Sequence, residues 1–200
     1  MFYRRKLPHW HPDITEATFL SVTWRLAGSI PRTRLSQPST VVPLSAGRAF
    51  LAMDREVDKA AFGPVWLLDA RIARVVADAL PYGESGRHFY HLRAWVIMPN
   101  HVHVLLRPTT SLPVITRWLK GYTARQANLI LGRTGEAFWQ DESFDHCVRD
   151  EVELDRIVRY VESNPVSAGL AADPRAWPWS SARLAGGSAC PTIGANPCQM

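Results

Sequence analysis

The sequence predicts an α+β fold in which helices pack on an antiparallel sheet, as in a ferredoxin-like core. Segments with strand-like alternation and segments with a helical period follow one another in the order strand, helix, hairpin, helix, strand, helix. The hairpin is indicated by two extended segments joined only by Pro99-Asn100. A length of 200 residues with 46% hydrophobic residues suits one domain with a substantial core.

The elements of the first half follow from local composition. Residues 17–27 alternate and are rich in Thr, Val and aromatic residues, which predicts the first strand. Three prolines in residues 28–47 predict a long irregular connection. Helical spacing of apolar residues predicts helices at 48–60 and 66–80, and a turn at 81–86 ends the second of them. Two strands of a hairpin follow, at residues 88–98 and 101–107.

The second half is expected to contain two helices separated by a strand. A long helix is predicted over residues 111–131, with Ser111 as N-cap and Gly132 at its end. Residues 135–149 are expected to form a loop and a short strand. A further helix is predicted over 151–162, with Asp150 as N-cap, and it stops before Asn164-Pro165 because proline disfavours helical conformation in the preceding residue.

Composition and charge exclude several classes of protein. No apolar run approaches the roughly 20 residues that span a bilayer, and the basic N-terminus lacks the apolar core of a signal peptide, so we expect a cytoplasmic protein. Three cysteines without close pairing argue against a disulfide framework and a cysteine zinc site. The net charge of +5, carried mostly by arginine, permits a polyanionic partner. We expect a basic arm at 1–16, one domain at 17–184 and a loose tail at 185–200.

Two histidines and two polar residues on the following helix form the main candidate site. His101 and His103 are two residues apart in an apolar, β-branched run, so a strand places them on one face. Tyr122 and Gln126 fall within the apolar stripe of the helix at 111–131. A buried amide costs about 1 to 3 kcal/mol unless it is compensated, so Gln126 is predicted to meet His101 and His103.

Two imidazoles and an amide oxygen leave open positions on an octahedral Mg²⁺ or Mn²⁺ ion, as activation of a phosphate requires. Tyr122, one turn from Gln126, would stand beside the metal and could act as a nucleophile on phosphorus. The alternative is a core histidine pair with satisfied hydrogen bonds beside a buried tyrosine.

Several basic residues are candidates for contact with nucleic acid. Those near the predicted tyrosine helix form either a phosphate track or a solvated face, and those near the N-terminus form either a phosphate-binding arm or a solvated terminus. The first group contains Arg117, Lys120, Arg125 and Arg133, and the second contains Arg4, Arg5 and Lys6. His146 is either a structural histidine, a partner of the site residues or a general acid.

Motifs spread over nearly the whole chain resemble the REP-associated tyrosine transposases, which belong to the HUH single-tyrosine nuclease superfamily. The motifs are Arg5-Lys-Leu-Pro-His-Trp10, Met98-Pro-Asn-His-Val-His103, Lys120-Gly-Tyr-Thr-Ala-Arg125, Phe138-Trp139-Gln140, Phe144-Asp145-His146, Tyr160, Asn164-Pro-Val-Ser-Ala-Gly-Leu170 and Trp179-Ser-Ser181. The histidine motif and the Asn-Pro-Val motif occurring together are far more specific than a His-x-His pair alone.

The resemblance implies an HUH nuclease core in which His101, His103 and Gln126 bind the divalent metal and Tyr122 is the nucleophile. It also implies cleavage and rejoining of single-stranded DNA at palindromic, hairpin-forming bacterial repeats through a 5′-phosphotyrosine intermediate, by a monomer or homodimer. One alternative is a regulator that binds repeat DNA or RNA without cutting it. Another is a different phosphodiesterase, which usually needs two separate His-x-Thr or His-x-Ser motifs, whereas this chain has one His-x-His pair.

Overall fold

Four strands form one antiparallel sheet in the order β2-β3-β1-β4 in the computed structural model, which describes residues 18–29 and 63–186. The strands are β1 (Leu20–Leu26), β2 (Tyr90–Ile97), β3 (His101–Pro108) and β4 (Trp139–Cys147). The helices are α1 (Ala70–Ser85), α2 (Leu112–Leu131) and α3 (Glu151–Ser167). Short 3₁₀ segments lie at Trp66–Leu68, Pro174–Ala176 and Ser181–Gly186.

This element and strand order confirms the predicted ferredoxin-like α+β fold. Two crossovers, β1-α1-β2 and β3-α2-β4, each return the chain to the same sheet through a helix. Because such crossovers are right-handed, both helices lie on one face of the sheet. The additional helix α3 covers the other face, over β2 and β3.

The two faces of β3 pack against different helices. Val102 and Val104 belong to the same buried core cluster as Ile115 and Leu119 of α2. Leu105, one residue out of phase, belongs to a second cluster with Val161 of α3. Since side chains alternate between the two faces of a strand, odd-numbered residues of β3 point toward α3 and even-numbered ones toward α2.

Both predicted helix ends at prolines are wrong. Pro81 lies inside α1 and Pro165 inside α3, which therefore continue to Ser85 and Ser167. An internal proline costs a helix about 3 kcal/mol, so tertiary contacts must hold the following turn. In α1, Glu84 Oε1 accepts from the amide of Leu92 at 3.0 Å. In α3, Pro165 is buried and its carbonyl accepts from the amide of Leu170 at 2.8 Å.

Both sheet edges have partners. The exposed side of β2 is covered by the segment Trp177–Ser181, where the amide of Ile97 donates to the carbonyl of Trp179 at 2.9 Å. At β4, Lys120 Nζ donates to the carbonyls of Gln140 and Asp141 at 2.6 and 2.7 Å, so its ammonium shields this edge.

Other predicted elements fall outside the described residues. These are the arm at 1–16, the helix at 48–60, all of the 28–47 connection except its first two residues, and the tail beyond residue 186. Among the described residues, no helix has the length and apolar character needed to cross a membrane.

Candidate active site

The two histidines open β3 and point toward α3. His101 and His103 are both almost fully buried, and their rings are perpendicular with centroids 4.7 Å apart. The Nε2 atoms of the two rings lie 2.9 Å from each other. The predicted pairing of these side chains on one strand face is therefore correct, and their ring nitrogens converge on one point.

The outer nitrogens of both rings are held by polar neighbours. His101 Nδ1 donates to Asn100 Oδ1 at 2.7 Å, because an amide oxygen can only accept. His103 Nδ1 lies 2.8 Å from the hydroxyl of Thr23 on β1. A proton on His101 Nδ1 leaves Nε2 as the ring nitrogen that can direct a lone pair to the interior, as in histidines that bind metals.

Burial keeps His103 uncharged. Loss of hydration lowers the pKa of His103 well below its usual range, and the nearby His101 lowers it further. A neutral imidazole is the form that can donate a lone pair to a cation.

Helix α3 adds an amide and a phenol to the histidine pair. Asn164 Nδ2 lies 3.1 Å from His103 Nε2, and Asn164 Oδ1 is buried without a hydrogen-bond partner in the described part of the chain. Tyr160 lies one turn earlier on the same helix, and its ring centroid is 5.9 Å from that of His103. A buried amide oxygen without a hydrogen-bond donor costs free energy, which indicates that this oxygen has a further binding partner.

The donor set fits a hard divalent cation. Two ligands about 2.1 Å from an octahedral ion and at right angles to each other are separated by about 3.0 Å, close to the 2.9 Å between the Nε2 atoms. Rotating the Asn164 amide would turn its oxygen toward the same point, since oxygen and nitrogen positions in an amide are assigned from the hydrogen-bond network. No group of three His, Cys, Asp or Glu side chains suited to a metal occurs in the described residues, and the amide that lies beside His103 Nε2 is that of Asn164.

The prediction that Tyr122 and Gln126 complete this site is wrong. Both residues lie on α2, which packs against the Val102 and Val104 face of β3, whereas the histidines point to the α3 face. Tyr122 is 44% exposed and stacks on Trp118, away from the sheet. The apolar stripe of α2 does face the sheet, but the sheet lies between this stripe and the histidines.

The candidate DNA-binding cations fall into two groups on the structure. Lys120 is engaged at the β4 edge, and Arg133 pairs with Glu136 while its guanidinium lies 4.0 Å above the Trp66 ring. Arg117 and Arg125 are exposed on α2. The basic residues Arg4, Arg5 and Lys6 lie outside the described residues.

His146 is 3.2 Å from Glu153 Oε1, so it joins β4 to α3. This contact supports the structural alternative for His146. Glu153 lies two turns before Tyr160 on α3, at the far end of the helix from Asn164.

Sequence reasoning missed Tyr160 and Asn164 although both stood in recognised motifs. Spacing made them a second candidate pair, because they are four residues apart, as Tyr122 and Gln126 are, but the expected helix end before Asn164 separated them. The alternation of side chains along a strand was a second signal for the correct face, because it places the histidines on the face opposite Val102 and Val104.

The fold and the buried histidine pair define an α+β protein with a candidate metal centre between β3 and α3. Residues 83–164 match the family model described as Transposase IS200 like, a range that includes His101, His103, Tyr160 and Asn164. Over these residues the chain is similar to IS200-like transposases.

Two solved structures are similar to the chain. One is a REP-associated tyrosine transposase bound to a REP hairpin, with 15% identity, coverage of 97% of this chain and 95% of that chain, and a TM-score of 0.54, a likeness of fold. The other is a candidate transposase from Deinococcus radiodurans R1, with 16% identity, coverage of 82% and 98%, and a TM-score of 0.40. No curated protein matches the chain in sequence.

Proposed function

We propose that this protein is a transposase that cleaves and rejoins single-stranded DNA, with Tyr160 as nucleophile and His101, His103 and Asn164 as ligands of a divalent metal. The observation that carries the proposal is the convergence of the two Nε2 atoms with the Asn164 amide, one helical turn from Tyr160. Tyr160 and Asn164 take the roles first expected of Tyr122 and Gln126.

The residues around the pair serve to orient it. Asn100 and Thr23 bind the outer ring nitrogens, which fixes the ring planes and leaves the Nε2 atoms directed inward. A bound Mg²⁺ or Mn²⁺ would supply Lewis-acid stabilisation of the charge that builds up on a scissile phosphate. Helix α3 keeps Tyr160 next to this point through the buried contacts of Asn164 and Pro165.

The chemical step transfers one phosphodiester linkage. Tyr160 Oη loses its proton and forms a bond to phosphorus, while the bond from phosphorus to the 3′-oxygen breaks. The departing oxygen takes up a proton and leaves as a 3′-hydroxyl, and the 5′-phosphate stays on Tyr160. Attack by a 3′-hydroxyl on this phosphotyrosine restores the DNA linkage and the phenol, so no nucleotide cofactor is consumed.

Hairpin-forming repeat DNA is the proposed substrate. A REP hairpin is bound in the similar structure of a REP-associated tyrosine transposase. The net charge of +5 and the exposed arginines favour binding to a polyanion.

The test is covalent trapping. The protein is incubated with an end-labelled REP hairpin carrying single-stranded flanks, with Mn²⁺ or with EDTA, and run on a denaturing gel. We expect a protein–DNA adduct with Mn²⁺ that is absent with EDTA and absent in His101→Ala. Asn164→Ala should lose most of the adduct, whereas the matched change Gln126→Ala on α2 should retain it. Loss in Gln126→Ala with retention in Asn164→Ala would contradict the ligand assignment.

A regulator that only binds repeat DNA or RNA is the competing function. It would give a metal-independent gel shift under native conditions and no adduct with any divalent ion. That result would remove the nuclease proposal while leaving the similarity of residues 83–164 to IS200-like transposases intact.

A further inference from the structure

A row of aromatic rings lies on the outer surface of α1 and α2. Trp118 is its centre, stacked on Tyr122 with centroids 6.0 Å apart and planes 12° from parallel. Tyr82 lies 6.1 Å from Trp118, and Phe89 meets it edge-on at 5.7 Å. We call these four residues the aromatic ladder.

The ladder is exposed at both ends and has a cation at its side. Tyr82 and Tyr122 are 51% and 44% exposed. The Arg87 guanidinium lies 4.9 Å from the Phe89 ring and 6.0 Å from the Trp118 ring, and this residue is itself exposed. Nothing in the proposed cleavage chemistry uses these residues, because they lie on the opposite side of the sheet from the histidines.

Cations outnumber carboxylates around the ladder. Helix α2 has no acidic residue among its 20 positions, and Arg117 and Arg125 are exposed on it, whereas Lys120 is engaged at the β4 edge. The acids near Tyr82 on α1 are the exposed Asp78, one turn earlier, and Glu84, which accepts a hydrogen bond from the Leu92 amide. Exposed aromatic rings interleaved with cations are the arrangement by which proteins hold single-stranded nucleic acid, with bases on the rings and phosphates along the cations.

We infer that the aromatic ladder binds unpaired bases of single-stranded DNA at a second contact region remote from the cleavage centre. The inference rests on the proposed action on single-stranded DNA. Tyr122 offers its outer ring face to a base, Tyr82 offers a second ring, and Arg87, Arg117 and Arg125 contact the phosphates. In the alternative, a second copy of the chain or another protein covers these rings. Such a partner lacks the charge complementarity that a polyanion has.

Because of the position of the ladder, the affinity for DNA should depend on the length of the strand. A DNA strand that occupies the cleavage centre must pass around the sheet to reach α2. Short substrates should therefore be bound and cleaved without the ladder, and only longer ones should gain affinity from it.

The experiment measures binding by fluorescence anisotropy in EDTA, so that cleavage plays no part. The probe is an oligothymidylate longer than the roughly 4–16 nucleotides that one stacking groove covers, and an abasic strand of equal length is the comparison. Tyr122→Ala and Tyr82→Ala should each weaken oligothymidylate binding about 5-fold, since each removes one stacked base. Tyr122→Phe, which keeps the ring, and Leu129→Ala, an exposed residue of the same helix, should bind as the wild type does.

The comparison strand separates stacking from charge. The wild-type protein should bind oligothymidylate more tightly than the abasic strand, and Tyr122→Ala should remove most of that difference. Equal losses on both strands, no loss at all, or conversion of a wild-type dimer to a monomer in Tyr122→Ala would each overturn the inference. Tyr122→Ala should still form the covalent adduct on a short hairpin, so failure of the ladder is distinguishable from failure of the proposed nuclease.

Discussion

Asn164→Leu should make the metal-free protein more stable than wild type and the metal-bound protein less stable than wild type. In the metal-free protein, Asn164 is 2% exposed and its Oδ1 has no hydrogen-bond partner in the described residues, a situation that costs about 1 to 3 kcal/mol. Its Nδ2 contact with His103 contributes about 1 kcal/mol in the other direction. Leucine has a similar volume, so Asn164→Leu should be about 1 kcal/mol more stable than wild type in EDTA.

The order should invert with Mn²⁺ at about 100 times the dissociation constant of the wild-type site. The wild-type protein then gains about 2.7 kcal/mol, because the ion binds the folded state alone. A site weakened about 100-fold by loss of the amide gains only about 0.4 kcal/mol. Asn164→Leu should therefore become about 1.3 kcal/mol less stable than wild type under these conditions.

The assay is urea unfolding with EDTA and with Mn²⁺, and the chain offers a matched control. Asn128 on α2 is also a buried asparagine whose Oδ1 lacks a partner among the described residues, but it lies on the other side of the sheet. Asn128→Leu should respond to Mn²⁺ as wild type does. A wild-type protein that gains no stability from Mn²⁺, or an Asn164→Leu protein that gains as much, would refute the role of the amide as a metal ligand.

Three further predictions concern packing and pH. Gly83→Ala should cost about 3 kcal/mol or more in urea unfolding, because the added Cβ would overlap the Tyr90 hydroxyl and the edge of its ring. The cost should shrink partly in a Tyr90→Phe background and more in Tyr90→Leu. Lys120→Met should lower the free energy of unfolding by about 1 kcal/mol, since two carbonyls of β4 lose their donor, and an unchanged value would deny the ammonium that role. The metal-free protein should lose stability as pH falls below about 6.5. Burial lowers the pKa of His103 in the folded state, so the unfolded chain binds more protons than the folded protein at mildly acidic pH. His103→Gln should reduce the dependence of the free energy of unfolding on pH, measured between neutral and mildly acidic pH.

The fold followed from sequence patterns because the patterns that specify it are local. Alternation identified the strands, the Pro99-Asn100 connection identified the hairpin, and Ser111 and Gly132 marked the ends of α2. The two prolines led to wrong helix ends because a proline indicates the end of a helix only through the free energy that it costs the helix locally. Burial of Pro165 and hydrogen bonds between the turns after both prolines and later residues offset that cost, and a sequence pattern does not display them.

The same limit explains the outcome for the site. The histidine pair was predictable because period-two geometry alone brings His101 and His103 together. Their partner helix was not, because two helices of the chain each carry a tyrosine and an amide four residues apart. Only the packing of α2 on one face and α3 on the other separates Tyr122 and Gln126 from Tyr160 and Asn164.

The most direct measurement is the location of the covalent DNA link. Wild-type protein is reacted with hairpin DNA and Mn²⁺, the DNA is trimmed by nuclease, and the tryptic peptides are examined by mass spectrometry. Trypsin places Tyr122 in the peptide of residues 121–125 and Tyr160 in the peptide of residues 160–175. We predict the phosphonucleotide on the 160–175 peptide and its loss in Tyr160→Phe but not in Tyr122→Phe. A modified 121–125 peptide would contradict the assignment of the nucleophile to α3.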